Sequence, residues 1–245
     1  MAFSTILLFG VDPDRSDHVP STYLGRVDID SLPQQTLMEL LVEHIEDKGK
    51  ITLADDSDIQ SWRGMQYNED GDLIKVTWFC FDLHGQIDFQ WLPSTITYFR
   101  ISVNSLKGSA DLSHLPASLE EFLLRDNLFD GTLDLTALPE SLMCLNASSN
   151  QFSGSVCLTS LPPSLISLLL SDNNFSGRLD LKSLPDTLER LHLNSNKFEG
   201  YVDFGALPAS LSHFDLSDNA LLEGRLEKKA FFWTENTKIT RVLTE

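Results

Sequence analysis

The sequence predicts an α/β repeat solenoid, a curved horseshoe with a parallel β-sheet on its concave face and short outer strands and 3-10 turns on its convex face. Three observations predict it. The dipeptide Leu-Pro recurs every 23 residues, beginning at Leu92, Leu115, Leu138, Leu161, Leu184 and Leu207. Each pair is followed by apolar residues in the pattern Leu-x-x-Leu-x-Leu, as at Leu165, Leu168 and Leu170. An asparagine then recurs with the same period, at Asn104, Asn127, Asn150, Asn173, Asn196 and Asn219. Such a period indicates one structural unit stacked on copies of itself.

Each repeated residue type predicts one structural role. Alternate side chains of Leu-x-x-Leu-x-Leu point inward along a short strand, and stacked copies pair as a parallel sheet. The asparagine amides are expected to pair with buried backbone groups of the adjacent coil, which makes this series a structural ladder. The alternation Leu133-Asp134-Leu135 predicts a second, outer strand, and the proline that follows begins a tight crossover.

The full unit, Leu-Pro-x-x-Leu-x-x-Leu-x-Leu-x-x-Asn-x-Phe-x-Gly, resembles that of leucine-rich repeat proteins. The Phe-x-Gly segment is similar to the plant-type class, which also occurs in protists. One period before Leu92, a first coil can be placed with Phe81 at the asparagine position. We therefore expect seven coils over residues 69–226. The resemblance implies a binding module rather than an enzyme.

Residues 1–68 are predicted to form an N-terminal lead and a helical cap. Leu37, Leu40, Leu41 and Ile45 recur at helical spacing, which predicts an amphipathic helix over residues 33–48 that Gly49 closes in a left-handed conformation. This helix would cover the open end of the first coil. The apolar run from Ile6 to Phe9 is expected to form an edge strand or a packed arm.

Residues 62–73 resemble the plant-type N-terminal cap, in which a helix precedes the motif Cys-x-Trp-x-Gly-Val-x-Cys. The two family cysteine positions fall on Gln60 and Tyr67 in this chain. The cap is therefore expected without its disulfide.

At the other end, residues 227–245 lose the period and are predicted to form a C-terminal cap. The apolar side chains that would close the solenoid are Phe231, Phe232, Trp233, Ile239 and Val242. The alternative is an exposed aromatic patch beside Lys228 and Lys229.

Charge and composition restrict the partners. The chain has 245 residues and a formal net charge of -18 at pH 7, which opposes binding to phosphate backbones and anionic lipid. Nucleic acid is therefore not expected as the main ligand. A membrane span needs about 20 apolar residues, and the sequence holds no such run. We expect the isolated chain to be monomeric.

The cysteines favour a reducing compartment. Cys80, Cys144 and Cys157 are an odd, widely spaced set with no C-x-x-C pair, which disfavours a structural zinc site and a disulfide framework. Together with the missing cap cysteines, this predicts an intracellular and cytoplasmic location.

Function is expected on the variable outward positions of the concave sheet, because the repeated residues are committed to the framework. Basic groups are over-represented there in a chain with twice as many acids as bases. Tyrosine and arginine are types enriched at binding hot spots. The candidate partner-binding residues are Lys75, Phe79, Tyr98, Arg100, Glu121, Leu123, Arg125, Asn146, Leu169, Arg190, His192, His213 and Asp215.

Catalysis, cofactors and metals find little support in the sequence. No nucleophile elbow, phosphate loop or H-E-x-x-H motif is present. His192 and His213 lie one coil apart and could face each other, although a polar binding surface is the commoner explanation. A column of aspartates that includes Asp111 and Asp134 could bind calcium, but the glycine-rich spacing of known calcium arrays is missing. We expect no catalytic residue, no cofactor and no metal.

Two function hypotheses from different classes follow. In the first, the concave face and a flank bind a protein or peptide partner that carries acidic or hydroxyl groups. In the second, the chain is a structural subunit of a large intracellular assembly, held by its N-terminal region and caps. An extracellular receptor or adhesin is a third possibility, to which the glycosylation sequon at Asn174 would belong; Asn146 begins a second sequon.

Overall fold

The computed structural model describes residues 29–52, 58–227 and 232–242. The Ile6 to Phe9 run, Phe231, Lys228, Lys229 and the side chain of Val242 lie outside what is described. Among the described residues there is one α-helix, α1 (Gln34–Leu41), and the strands are β1 (Met65–Tyr67), β2 (Leu73–Thr77), β3 (His84–Gly85), β4 (Tyr98–Arg100), β5 (Ser105–Ser109), β6 (Glu121–Leu123), β7 (Leu128–Asp130), β8 (Cys144–Asn146), β9 (Ser153–Gly154), β10 (Ser167–Leu169), β11 (Asn174–Gly177), β12 (Arg190–His192), β13 (Lys197–Val202), β14 (His213–Asp215), β15 (Leu221–Glu227), β16 (Phe232–Trp233) and β17 (Lys238–Val242).

The concave sheet consists of the even-numbered strands β2 to β16 together with β1 at one edge. Each coil contributes one strand, which pairs with the corresponding strand of the next coil. The order is β1-β2-β4-β6-β8-β10-β12-β14-β16, with β1 antiparallel at one edge and the rest parallel. From β2 to β14 each pair keeps the register that the period predicts, as in Leu168 opposite Leu191. The last pair departs from it, since Phe214 lies opposite Phe232. The predicted solenoid with seven coils is confirmed. Among the described residues, no helix is long and apolar enough to span a bilayer.

The core is a series of side-chain columns that run through the stacked coils. The inward leucines of the concave strands are buried, and the phenylalanines of the Phe-x-Gly segments stack behind them. Phe129, Phe152, Phe175 and Phe198 lie with neighbouring ring centroids 6.1 to 6.4 Å apart and with nearly parallel planes. Each coil therefore buries its apolar face only against its two neighbours, as expected for a quasi-one-dimensional fold.

The asparagine ladder supplies the polar counterpart of these columns. Asn173 is representative: its Nδ2 donates to the carbonyl oxygens of Ala147, Leu170 and Ser171, and its Oδ1 accepts from the N–H of Phe152. Ala147 and Phe152 belong to the preceding coil, so the amide satisfies buried backbone groups there as well as in its own coil. The other ladder residues make the same kind of bonds.

The residue before each ladder asparagine adopts a left-handed backbone conformation. The φ angle is 53 to 61° at these positions, namely Val103, Asp126, Ser149, Asp172, Ser195 and Asp218. Cys80 has φ 57° at the same position of the first coil. Aspartate tolerates this conformation because its short polar side chain bonds locally, whereas a β-branched side chain such as that of Val103 is strained in it.

The outer strands lie one segment earlier than the sequence predicted. They form at the Asn-x-Phe-x-Gly segments and make two sheets, β3-β5-β7 and β17-β15-β13-β11-β9. Leu133 and Leu135 are buried as expected, but the segment between them is not a strand. The prediction was wrong because the Asp134 carboxylate accepts bonds from the backbone N–H and the hydroxyl of Thr136, which closes a local turn.

The other aspartates of this column close equivalent turns, for example Asp111 with Ser113 and Asp180 with Lys182. These bonds occupy carboxylate oxygens that the calcium alternative would need. Cys157 takes the aspartate's place in its own coil, where hydrogen bonds from Thr159 lower the pKa of the exposed thiol.

The N-terminal cap helix is shorter than predicted, since α1 ends at Leu41 rather than near residue 48. Leu37 and Leu41 are buried as expected and Met38 is fully covered, whereas Leu40 is only partly buried. The helix ends because the chain turns to pair with the first outer strand: the N–H of Glu46 donates to His84, and that of Gln86 donates to His44. The cap thus satisfies backbone groups at the edge of the sheet.

Two glycines permit close backbone approach in the cap. Gly85 has φ 98°, and a Cβ there would lie 2.2 Å from the His44 carbonyl oxygen; Gly64 has φ 75° and meets Thr77 in the same way. Gly49, by contrast, does not close a helix, because it lies within a 3-10 turn. Its predicted left-handed role was therefore wrong.

The cap closes without cysteines at Gln60 and Tyr67. Burial raises the pKa of Tyr67 to about 12, so its hydroxyl stays protonated at neutral pH. That hydroxyl donates to the carbonyl oxygen of Ile59, next to Gln60, at 2.8 Å. A hydrogen bond therefore joins the two segments on which the family cysteine positions fall.

At the C-terminal end the chain adds one strand to each face of the solenoid. In β16, Phe232 and Trp233 pair with Phe214 and Asp215, and β17 pairs in parallel with β15. Phe232 is buried as the predicted cap requires, whereas 37% of Trp233 is exposed.

Candidate functional site

The concave sheet presents its outward side chains in three rows that cross the strands. The first row consists of Lys75, Tyr98, Glu121, Cys144, Ser167, Arg190 and His213. The second consists of Thr77, Arg100, Leu123, Asn146, Leu169, His192, Asp215 and Trp233. The third lies two residues further along each coil and consists of Phe79, Ser102, Arg125, Ser148, Ser171, Asn194 and Ser217. All thirteen predicted partner-binding residues lie in these rows.

A cluster of cations and aromatic rings occupies the N-terminal part of this face. The Lys75 Nζ lies 4.1 Å from the ring centroid of Tyr98, and the Arg100 guanidinium carbon lies 3.9 Å from that of Phe79. Arg125 is exposed and contacts Asp126 at 3.0 Å. Stacking of this kind holds a cation in place while its outer edge stays open to a ligand.

Arg100 also has hydrogen-bonding capacity to spare. Its Nε atom is buried and has no hydrogen-bond partner among the described residues. A buried donor without a partner costs free energy. Arg100 is partly exposed, so a ligand would meet the accessible N–H groups of its guanidinium rather than Nε.

The middle of the face, on β8 and β10, is weakly polar and carries no formal charge. Asn146 and Leu169 are partly exposed, while Ser148 and Ser167 are buried. Burial raises the pKa of the Cys144 thiol, so it stays protonated at neutral pH. This stretch offers apolar contact area rather than charge.

The C-terminal part holds the two histidines, but the register does not place them opposite each other. His192 faces Asp215, and His213 faces Arg190. The His213 ring stacks on Trp233 with centroids 6.3 Å apart. Burial lowers the pKa of His192, so its ring is neutral at pH 7. The two histidines therefore do not face each other, and the His192–His213 pair considered from the sequence was wrong.

Asp215 is already committed to its own backbone turn. Its Oδ1 accepts from the N–H and the hydroxyl of Ser217. No group of three or more histidine, cysteine or acidic side chains in the described part of the chain could hold a metal ion. The arrangement suits polar contacts with a macromolecule.

Sequence reasoning missed two features of this face. Trp233 joins the second row because β16 extends the sheet. The sequence feature that could have predicted this is the aromatic run after the last coil, in which Trp233 stands. The left-handed residues border the third row. The sequence feature that could have predicted them is the aspartate or serine that precedes five of the six ladder asparagines.

Comparison with solved structures shows where this fold occurs. The receptor kinase HAESA of Arabidopsis, in complex with the peptide hormone IDA and the co-receptor SERK1, matches with a TM-score of 0.64 and 19% identity over 84% of this chain and 42% of that chain. A pollen receptor kinase 3 matches with a TM-score of 0.54 and 18% identity over 83% of this chain and 95% of that chain. The BIR2 ectodomain of Arabidopsis thaliana matches with a TM-score of 0.50 and 16% identity over 85% of this chain and 94% of that chain.

At these identities the likeness shows the fold alone. No protein-family profile matches the sequence, and no curated protein does.

Proposed function

Since this chain has the leucine-rich repeat fold of plant receptor ectodomains, we propose that it is a protein-interaction module that binds a protein or peptide partner through its concave face and a flank. The observation that carries the proposal is the contrast between framework and face. Inward residues repeat from coil to coil, whereas the three outward rows change in charge, size and polarity along the sheet. A uniform face would offer no basis for specific recognition.

The solved neighbours support this class of function. HAESA is described in complex with the peptide hormone IDA, and PEPR1, which matches with a TM-score of 0.51 and 15% identity, in complex with AtPEP1. The fold is thus compatible with peptide recognition.

The charge distribution supports an acidic partner. The chain as a whole carries a formal net charge of -18, yet its concave face gathers Lys75, Arg100 and Arg125 in the first three coils. Attraction at this end would steer and orient a carboxylate-bearing segment, while the acidic remainder of the protein repels it.

The size of the face indicates that a flank takes part. The nine strands of the sheet, at about 4.8 Å spacing, give a length of about 43 Å, and five residues at about 3.3 Å give a width of about 16 Å. The product is roughly 700 Å², below the roughly 800 Å² that each side of a standard interface contributes. A specific complex therefore extends onto an edge of the sheet.

Charge reversal at Arg100 and Arg125 tests the proposal. We expect the double variant R100E/R125E to bind the partner at least about tenfold more weakly, because like charges would then face each other across the interface. Affinity purification with cross-linking mass spectrometry identifies the partner and the contacting residues, and titration with the purified partner gives the Kd.

The matched control is R178E/R225E, which changes the net charge equally at exposed positions away from the concave face. It should bind as the wild type does. Equal affinity of R100E/R125E and wild type, with cross-links only on the convex side, would contradict binding through the concave face.

We also propose an intracellular location. It is supported by the free thiols of Cys80, Cys144 and Cys157 and by the hydrogen bond that joins Tyr67 to Ile59 at the family cysteine positions. Imaging of the endogenous protein should place it in the cytoplasm. A glycan on Asn174 would contradict this location and favour a receptor or adhesin.

A further inference from the structure

The first three coils depart from the rest of the array at one edge of the concave sheet. This edge consists of the third-row residue and the left-handed residue that follows it. In the later coils both are small and polar, as in Ser148-Ser149, Ser171-Asp172 and Ser217-Asp218. The first coil has Phe79-Cys80 there, the second has Ser102-Val103, and the third has Arg125-Asp126. We call Phe79, Cys80 and Val103, together with the adjacent Arg100, the edge site.

Val103 occupies its position at a conformational cost. Its φ angle is 61°, and the β-branched side chain makes this backbone conformation unfavourable. The same position holds aspartate or serine in each of the five following coils, which are residues that fit it well. A strained residue persists where the surroundings or the function require its side chain.

The fold itself does not require that side chain. Val103 is 37% exposed and Phe79 is 43% exposed, and Cys80 is exposed as well. Hydrogen bonds place the three on neighbouring coils, since the N–H of Cys80 donates to Ser102. The result is a small apolar patch on a sheet edge that is otherwise polar.

Arg100 connects this patch to the concave face. Its guanidinium stacks on Phe79, and its buried Nε lacks a partner within the described residues. Apolar surface therefore lies beside a cation that stacking on Phe79 holds in place.

We propose that the edge site is the anchor of the interaction surface, where it takes an apolar side chain of an extended partner segment and Arg100 binds a carboxylate next to it. The proposal rests on the proposed function and names the partner's contact chemistry. It also accounts for the flank contact that the small concave face needs. Arg100 complements a carboxylate, and the apolar patch complements an apolar side chain. A segment that carries both therefore fits the edge site better than a purely acidic segment does.

The variant Val103→Ser tests it, because serine is the residue that Ser149 and Ser195 supply at the same position. We expect the Tm to rise by about 2 °C as the strain is relieved. Peptides selected on the wild-type protein from a random displayed library should carry adjacent apolar and acidic residues and should bind V103S at least about tenfold more weakly, the size of effect found for an interface anchor. Fluorescence anisotropy gives the affinities, and thermal unfolding gives the Tm.

Two controls separate strain from recognition. Ser149→Val places the same β-branched residue at the same position two coils away, and it should lower the Tm without changing peptide affinity. Leu128→Ser removes an exposed leucine from the outer face and should also leave the affinity unchanged.

The outcomes also separate this proposal from the proposed function. Peptides that bind V103S as well as wild type, but lose binding to L169E, would overturn the anchor and leave concave-face binding in place. Peptides indifferent to both variants, or a selection that enriches none, would overturn both. A V103S protein no more stable than wild type would remove the strain argument and with it the proposal.

Discussion

Replacing Phe175 with alanine is expected to lower the free energy of unfolding by about 4 kcal/mol, since truncation of a buried phenylalanine costs about 3–5 kcal/mol. Phe175 is fully buried and stacks on Phe152 and Phe198, with ring centroids 6.1 and 6.4 Å away. Alanine would leave a cavity in the middle of the column, where both neighbouring coils lose contacts. Chemical denaturation followed by circular dichroism measures the loss.

Phe175→Leu is the matched control, because it keeps an apolar side chain in the column and should cost about 1.5 kcal/mol or less. A repeat array is stabilised by contacts between neighbours, so F175A should also broaden the transition by uncoupling the two halves. A loss below about 1.5 kcal/mol for F175A would show that the coils can close the cavity.

Replacing Asn173 with alanine is expected to cost about 3 kcal/mol. The substitution leaves the buried N–H of Phe152 and the carbonyl groups of Ala147 and Leu170 without their side-chain partner, and each unsatisfied buried group costs about 1–3 kcal/mol. For a protein of this size the loss corresponds to a Tm lower by about 6–12 °C. Thermal unfolding gives the value.

The neighbouring Asn174 provides the control, since it lies half-exposed on β11 and outside the ladder. Asn174→Ala should change stability by less than about 0.5 kcal/mol. Similar losses for N173A and N174A would contradict the assignment of the ladder as structural.

Several local predictions were wrong for one common reason. Helical spacing continued past Leu41, but the chain there pairs with β3 and the helix ends. Alternation at Leu133 and Leu135 suggested a strand, but the Asp134 side chain bonds the backbone two residues on. In both cases hydrogen bonds outweighed a pattern of apolar residues: between distant segments at the end of α1, and within a local turn at Asp134.

The residues of the candidate site within the coils could be assigned from the sequence, whereas the one beyond the last coil could not. The period assigns outward positions such as Arg100 and Arg125 directly, because a parallel register repeats whatever one coil does. Trp233 lies beyond the period, so only the pairing of β16 with β14 brings it to the face. The pairing of His192 with Asp215, by contrast, follows the 23-residue period.

The sequence by itself determined the solenoid, its direction of stacking and the residues that form its framework, because an exact repeat in a one-dimensional array leaves each coil only its neighbours to pack against. Tertiary structure alone decided the ends, the outer strands and the strained position of Val103. These features depend on backbone pairing and on φ angles that side-chain periodicity does not encode. The Leu-Pro period thus defines the scaffold, and the edge site, where we propose recognition, is a departure from the residue types that the later coils repeat.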